Sequence, residues 1–431
     1  MSGSDLIGPV PTHWKLKPLR LLGRLLKGTG GSKEDAVEEG VPCVRYGELY
    51  STHRNFIEHA RSCVTQERAA DYTPIEYGDV LFAASGETIE EIGKSAVNLL
   101  QGARCGGDVV ILRPTAPFVP RFLGYATDAA PVAAQKSMAG RGSTVKHIYP
   151  DEIRKVVIAV PPIEEQQDIA DFLDRETTRL DALVAEKQRL LGLLSEKRKA
   201  IIATRVTRGL DANVKLRDSG VPWLGEIPAH WKHRNLRFCC TAIQTGGTPA
   251  PEFLDYDGDD GLDWLTPGDF SELLVPQRSL RRVAPGALSA GDLKMFPAGT
   301  VLVVGIGATL GKVGMPSHPA SANQQVNALI PRDDIDSSFL AYEMLVLAEL
   351  LRVSANTATL PILNQQRMGD VPVLVPPLGE QQVIVEHVGR ETAKLDAVRV
   401  ATDRTIALLK ERRTALIAAA VTGQIDLRAA A

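Results

Sequence analysis

Cysteine chemistry is the first thing this sequence withholds. Only five of its 431 residues are cysteine, namely Cys43, Cys63, Cys105, Cys239 and Cys240. An odd count with no CxxC pair reads as reduced thiols and excludes a disulfide scaffold or a zinc ribbon. Long apolar runs are also missing. Nothing approaches the length that spans a bilayer, and the opening MSGSDLIGPVP lacks the basic-then-apolar layout of a secretory signal, so the expected location is the cytoplasm with no membrane partner. The eight histidines form no HExxH or HxH pair, which leaves zinc unsupported and the metal set empty. There is no GxSxG elbow, and no GxGxxG that follows a strand and opens a helix. The closest approach to a P-loop, Gly305 to Lys312, fails at Ile306 and again at Val313, where the motif needs glycine and a hydroxyl. A turn is the plainer reading of that segment, with a phosphate-contacting Lys312 as the sharper one. No catalytic residue recommends itself.

What is present is ordinary in amount and unusual in arrangement. Apolar residues make up 44% and charged residues 23%, as in a globular protein, and the length suits two to four domains. The formal net charge of −3 is not that of a free nucleic-acid binder, and the acid excess gathers in residues 218–374, much of it in Asp255, Asp257, Asp259, Asp260 and Asp263. That run reads as a solvated loop, because neither the glycine nor the terminal glutamate of a calcium loop falls in place. A polyanion partner is neither demanded nor forbidden, and other subunits would have to supply part of any positive field.

The arrangement is a duplication. Residues 160–211 and 375–426 align without a gap at an offset of 215, with 24 of 52 positions identical. Pro11-Thr-His-Trp-Lys returns as Pro228-Ala-His-Trp-Lys at an offset of 217. Each half thus enters through Pro-x-His-Trp, passes through a variable stretch and leaves through Val-Pro-Pro. His13 and His230 are expected as packed histidines beside a core tryptophan. Between Ile163 and Arg208 there is no proline and only Gly192 as glycine, while Ile169, Leu173, Leu180, Leu183, Leu190, Leu194 and Ile201 recur at spacings of four and three. Ile384, Val388, Leu395, Val398, Leu409 and Leu416 keep the phase in the second copy. These are coiled-coil seams, interrupted by Glu176, Lys187 and Lys197 and by Glu391, Thr402 and Arg412. Two long helices laid side by side would bury both stripes.

The variable stretches echo one another faintly, as in Gly78–Phe82 against Gly299–Val303, each a short strand with a turn. The fold expected is α+β, with two globular domains of mixed, mostly antiparallel sheet, separated by two long helices packed as an antiparallel coiled coil, with an internal pseudo-twofold repeat. The divisions are 1–160, a helix over 161–208, a connector over 209–227, a second domain over 228–375, and the second helix with its tail over 376–431. Donors suited to phosphates and base edges lie in the loops: Arg45, Tyr46, Lys94, Arg141, Ser143 and Lys146 in the first domain, and Arg281, Arg282, Lys312, Gln324, Gln325 and Asn327 in the second. Each of them singly also reads as a solvated surface group.

The doubled VPPxxEQ at Val160 and Val375, the RET at Arg175 and Arg390, the LDA at Leu180 and Leu395, and the segment Ser219 to Trp231 with Thr245-Gly-Gly-Thr-Pro249 resemble the specificity subunit of type I restriction-modification enzymes. The resemblance implies two target recognition domains, each reading one half of a split, asymmetric site on double-stranded DNA. It implies spacer helices that set the gap and dock two methyltransferase subunits, with Leu173, Leu180, Leu183, Leu194, Val388, Leu395, Val398 and Leu409 in helix packing or partner docking. It implies no cofactor in this chain, S-adenosylmethionine in the methyltransferase partner, and ATP and Mg in a restriction motor-nuclease partner. Two other classes stay open on the residues alone, a non-enzymatic coiled-coil adaptor between proteins and a self-sufficient DNA methyltransferase.

Overall fold

The computed structural model describes residues 3–31, 33–142, 145–221, 224–270, 274, 279–307, 309–355 and 363–425. The chain divides into two compact units, one of residues 1–188 with 403–431 and one of residues 189–402.

In the first unit β1 (Lys15–Pro18) leads through a 3-10 turn into β2 (Gly23–Lys27). A five-stranded sheet runs in the order β2, β6 (Val109–Pro114), β4 (Val80–Ala83), β5 (Ser95–Asn98), β3 (Phe56–Ile57). Its two faces sort the alternating side chains as a pleat must: Val80, Phe82, Val110 and Leu112 enter one core, and Leu81, Ala83, Val109 and Ile111 another. Helix α1 (Pro120–Asp128) follows, and β7 (Val157–Val160) pairs antiparallel with β1 before the chain enters α2 (Ile163–Arg208).

The second unit repeats the plan. There β8 (Lys232–Asn235) pairs antiparallel with the strand that enters the last long helix, and β9 (Cys240–Thr245) begins a sheet continued by β12 (Val326–Pro331), β10 (Val301–Val304) and β11 (Val313–Gly314). Helix α3 (Ser337–Ala355), β13 (Pro372–Val375) and α4 (Leu378–Val421) complete it. The register repeats as well, since Ile111 faces Leu81 in one sheet and Ala328 faces Leu302 in the other. The faint echo read between Gly78–Phe82 and Gly299–Val303 is therefore a shared strand.

Helix α2 has 46 residues and α4 has 44, and each unit holds a piece of both. Within the first unit, Ile169, Ala170 and Leu173 near the start of α2 share a core with Ile417, Ala420 and Val421 near the end of α4. Within the second, Ile202 and Val206 near the end of α2 meet Ile384 and Val388 near the start of α4. The pairing is antiparallel in each. The aspartates of the two LDA motifs hold it reciprocally, Asp181 to Arg413 at 3.1 Å and Asp396 to Arg198 at 3.5 Å. All four positions obey the same offset of 215, so one ancestral pair has become two.

One row of the expected seam is displaced. Leu173, Leu180, Val388 and Thr402 are buried and Leu194, Leu395 and Leu409 are partly covered. Leu183 and Val398 stand 43% and 46% exposed instead. The second inward row lies one residue on, where Ala170, Thr177, Thr392, Ile406 and Ala420 are buried and Val184, Leu191, Arg198, Arg399 and Arg413 are half-buried. The two threonines of that row are satisfied within their own helices: Thr177 and Thr392 donate to the carbonyls of Leu173 and Val388, four residues back, at 2.6 and 2.8 Å. A reading that follows apolar residues alone passes over them.

The repeated motifs latch each unit to its helix. Glu165, in the first turn of α2, accepts from the indole Nε1 of Trp14 at 2.8 Å and lies 2.8 Å from the Nε2 of His13. Glu380, in the first turn of α4, lies 2.9 Å from the Nε2 of His230. Trp14 and Trp231 are buried, but the imidazoles are half exposed, so the histidines are clasps at the rim and not the packed core groups the sequence suggests. The next residues, Gln166 and Gln381, accept from the backbone N–H of Val119 and Asp336, which seats the starts of α1 and α3. Trp231 has no partner for its N–H among the described residues. Glu165→Ala is therefore expected to destabilise by about 1–3 kcal/mol, because it strips a charged acceptor from a buried indole, and Glu380→Ala by less. Chemical denaturation of both variants checks the order.

One buried carboxyl makes stability depend on pH. Glu343, inside α3, is 8% exposed and accepts from the backbone N–H of Leu374 at 2.6 Å, and burial raises its pKa well above the ordinary 4.5. The unfolded chain loses this proton near the ordinary value while the folded chain keeps it. Stability therefore falls as pH rises from about 4.5 towards the folded value, by up to about 1.4 kcal/mol per pH unit. Glu343→Gln should flatten that fall and leave the protein more stable at pH 8, which thermal melts across pH 5–9 would read.

Candidate nucleic-acid interface

The loops that carry the candidate donors are placed by the sheets behind them. In the first unit, Arg141 and His147 exchange backbone hydrogen bonds of 2.9 and 2.7 Å, closing a small loop. Strand pairing ties Lys146 and His147 to Gly86 and Ser85, and the Ser85 hydroxyl lies 2.9 Å from the His147 Nδ1. Arg141 is three-quarters exposed, with Glu152 at 3.6 Å, and the Lys146 ammonium donates to the Gly142 carbonyl at 2.6 Å. Exposed Val145 and Tyr149 flank them, the latter stacked on His147. Arg141 and Lys146 are thus brought together, while Ser143 lies outside the described residues.

The other first-unit candidates have different settings. Lys94 pairs with Asp128 at 3.3 Å, a carboxylate that the buried ammonium of Lys136 also reaches. Burial lowers the Lys136 pKa from 10.5 to about 8, against the opposing pull of Asp128. Arg45 follows the strand Val41–Val44, with one guanidinium nitrogen buried. The Tyr46 ring lies 6.3 Å from that of Tyr50.

In the second unit internal bonds occupy several of the named groups. Arg282 donates to the carbonyls of Gly258, Asp259 and Gly261, which clamps the acidic loop from beneath. The Lys312 ammonium donates to the Phe270 carbonyl at 2.9 Å, and the glycines around it serve a tight turn between β10 and β11. A Cβ on Gly305 would lie 2.6 Å from the Asn327 amide nitrogen. Asn327 is 3% exposed, donates to the Leu363 carbonyl at 2.7 Å and accepts from the Thr245 hydroxyl at 3.2 Å. Arg281 and Gln324 are exposed and Gln325 is half-buried. Gln365, which donates to Thr245 at 2.9 Å, and Gln366 escaped the sequence reading; they line a cleft of about 370 Å³ with Arg237 and Thr241. The amide run Asn364-Gln-Gln was the available signal.

The cysteines have no visible part in this. All five are free, and burial pushes the thiols of Cys43, Cys105 and Cys240 up to about 12.

A family model described as the type I restriction modification DNA specificity domain matches residues 119–191 and 228–394, more than half of the chain. The chain belongs to that family. Among curated relatives, the MjaIX specificity subunit of Methanocaldococcus jannaschii is 28% identical over 165 residues, which is 37% of this chain and 38% of that one. The putative MjaX specificity subunit of the same organism is 22% identical over 396 residues, covering 88% of this chain and 87% of that one. For three curated relatives, MjaIX among them, the matched stretch spans only 38%, 52% and 47% of their length. A solved structure concerned with complex assembly and conformational transition of the type I R-M system contains a chain that superposes with a TM-score of 0.71 at 22% identity, over 97% of this chain and all of that one. At that identity the likeness speaks for the fold. What this specificity-family chain keeps in both copies is the frame of latch, helix pair and sheet. What it varies is the loop chemistry, basic around Arg141 and Lys146 and amide-rich around Gln324, Gln325 and Gln365.

Proposed function

We propose that this chain is the non-catalytic DNA-reading subunit of a type I restriction-modification complex, each unit reading one half of a bipartite, asymmetric site. The observation that carries the reading is the pairing of one repeated frame with two different sets of outward loops. A duplicated frame suits two equivalent attachments, and unlike loops suit two unlike half-sites. Arginine and lysine favour guanine and phosphate, and amides favour adenine, by bidentate geometry.

Two methyltransferase subunits are the proposed companions on the helices, together with restriction motor-nuclease subunits. Exposed apolar residues recur at the constant offset with matching exposure, which supports two docking faces of one kind. Leu183 and Val398 are 43% and 46% exposed, and Leu193 and Leu408 are 54% and 55% exposed. Leu173, Leu180 and Val388 then serve helix packing. S-adenosylmethionine would sit in the methyltransferase partner and ATP with Mg in the restriction partner, with the target adenine turned out of the duplex into the former. No helix among the described residues is long and apolar enough to cross a membrane, and a cytoplasmic place beside the genome fits the proposal.

The test is DNA association by the chain together with its methyltransferase, titrated with salt. Sequence-selective binding that weakens with salt is expected. No association with DNA would instead favour a protein adaptor, and S-adenosylmethionine bound by the isolated chain would favour a self-sufficient methyltransferase.

A further inference from the structure

The entry segment of each unit is free of acid. From Leu6 to Ser32 there is no Asp or Glu, and Lys15, Lys17, Arg20, Arg24 and Lys27 are basic; from Ile227 to Pro251 there is again none, with Lys232, Arg234 and Arg237. Three of these match at the offset of 217, Lys15 with Lys232, Lys17 with Arg234 and Arg20 with Arg237. The matched residues lie on β1 and β8 and on the 3-10 turn that follows each. Lys15 and Lys17 share a face of their strand by alternation. The backbone N–H groups of Leu19 and Arg20 bond the carbonyls of Val156 and Arg154, which sets the turn alongside Lys155.

The two ribbons differ in what neutralises them. In the second unit Arg234 pairs with Asp334 at 2.7 Å and Arg237 pairs with Asp370. In the first unit the matching positions hold Pro117 in place of Asp334 and Lys155 in place of Asp370. Lys15, Arg20, Arg24, Lys27 and Lys155 are exposed and Lys17 is half-buried. None of these six has an ion-pair partner among the described residues.

We propose that the ribbon Lys15–Lys27 with Lys155 is a phosphate-tracking surface, giving the first unit the larger share of sequence-independent DNA affinity, while two of the second unit's three matching cations are neutralised by its own aspartates. This rests on the DNA-reading function proposed above. Contacts of this kind hold a protein in register on the duplex without reading bases, which leaves the loops free to differ. Each phosphate neutralised contributes about 0.9 to the slope of log K against log salt.

The experiment uses the chain reconstituted with its methyltransferase and measures anisotropy from about 50 to 300 mM salt, on a duplex with the recognised site and on one without it. The variant Lys15→Gln, Lys17→Gln, Arg20→Gln should flatten the slope by about 2–3 on both duplexes and leave the recognised sequence unchanged. Lys15→Arg with Lys17→Arg should keep the parent slope, which separates charge from misfolding. Asp370→Asn, which frees Arg237, should steepen the slope by about 1. An unchanged slope in the triple variant overturns the proposal. So does loss of assembly with the methyltransferase at an unchanged slope, which would make the ribbon a protein-docking surface. A parent complex with no salt-dependent DNA association would sink the DNA-reading function itself, and this inference with it.

Discussion

Aspartate at Leu173 or at Val388 should cost about 3–5 kcal/mol of folding stability, whereas aspartate at Leu183 or Val398 should cost under about 0.5 kcal/mol. All four are apolar residues on the long helices, and apolar spacing alone treats them alike. Leu173 and Val388 are fully buried, the first against the end of α4 and the second against the end of α2, and a carboxylate there would be set among apolar side chains. Leu183 and Val398 face solvent. Urea unfolding of the isolated chain gives the first comparison. Co-purification with the methyltransferase gives the second, because under the proposed docking the exposed pair should weaken assembly while leaving the fold intact. A Leu183→Asp chain as unstable as Leu173→Asp would mean that the buried row has been misplaced.

The second large effect concerns recognition. Exchanging residues 15–150 for the corresponding stretch of another family member should abolish recognition of one half-site and install a new one, leaving the other half-site untouched. Each mismatched base pair costs about 1–3 kcal/mol, so three in one half-site would remove roughly 3–9 kcal/mol of specific affinity. The separation is expected because the principal core of each unit draws only on that unit's own residues, Leu19, Phe82 and Phe122 in one and Leu236, Val303 and Phe339 in the other. Binding assays on duplexes altered in one half at a time check it. A change at both half-sites would contradict modular reading.

Much of the frame was legible in the sequence because duplication writes it twice. The long helices follow from a stretch without proline, the short strands from valine- and leucine-rich runs beside Gly or Pro, and the importance of Pro-x-His-Trp from its return at a fixed offset; which strands pair did not follow. The purpose of that motif was not legible. Glu165 lies about 150 residues from His13, and nothing local announces that the two touch. The second seam row was missed for a related reason, since Thr177 bonds a carbonyl one turn back and Arg198 and Arg413 pair with aspartates of the other long helix. Loop chemistry was legible as residue type and not as availability. Nothing about asparagine at 327 distinguishes a base-reading amide from one spent on Leu363 and Thr245, and the distinction appears only when strand and loop are brought together.

Two unlike reading units on one repeated frame are proposed to specify a split address on DNA. Mapping of modified adenines across the genome of a cell carrying this chain with a methyltransferase partner would read that address. A single motif of two short, unlike, defined parts separated by a gap of fixed length and free sequence is expected, with one modified adenine in each part. A contiguous motif, or one whose gap varies from site to site, would contradict it.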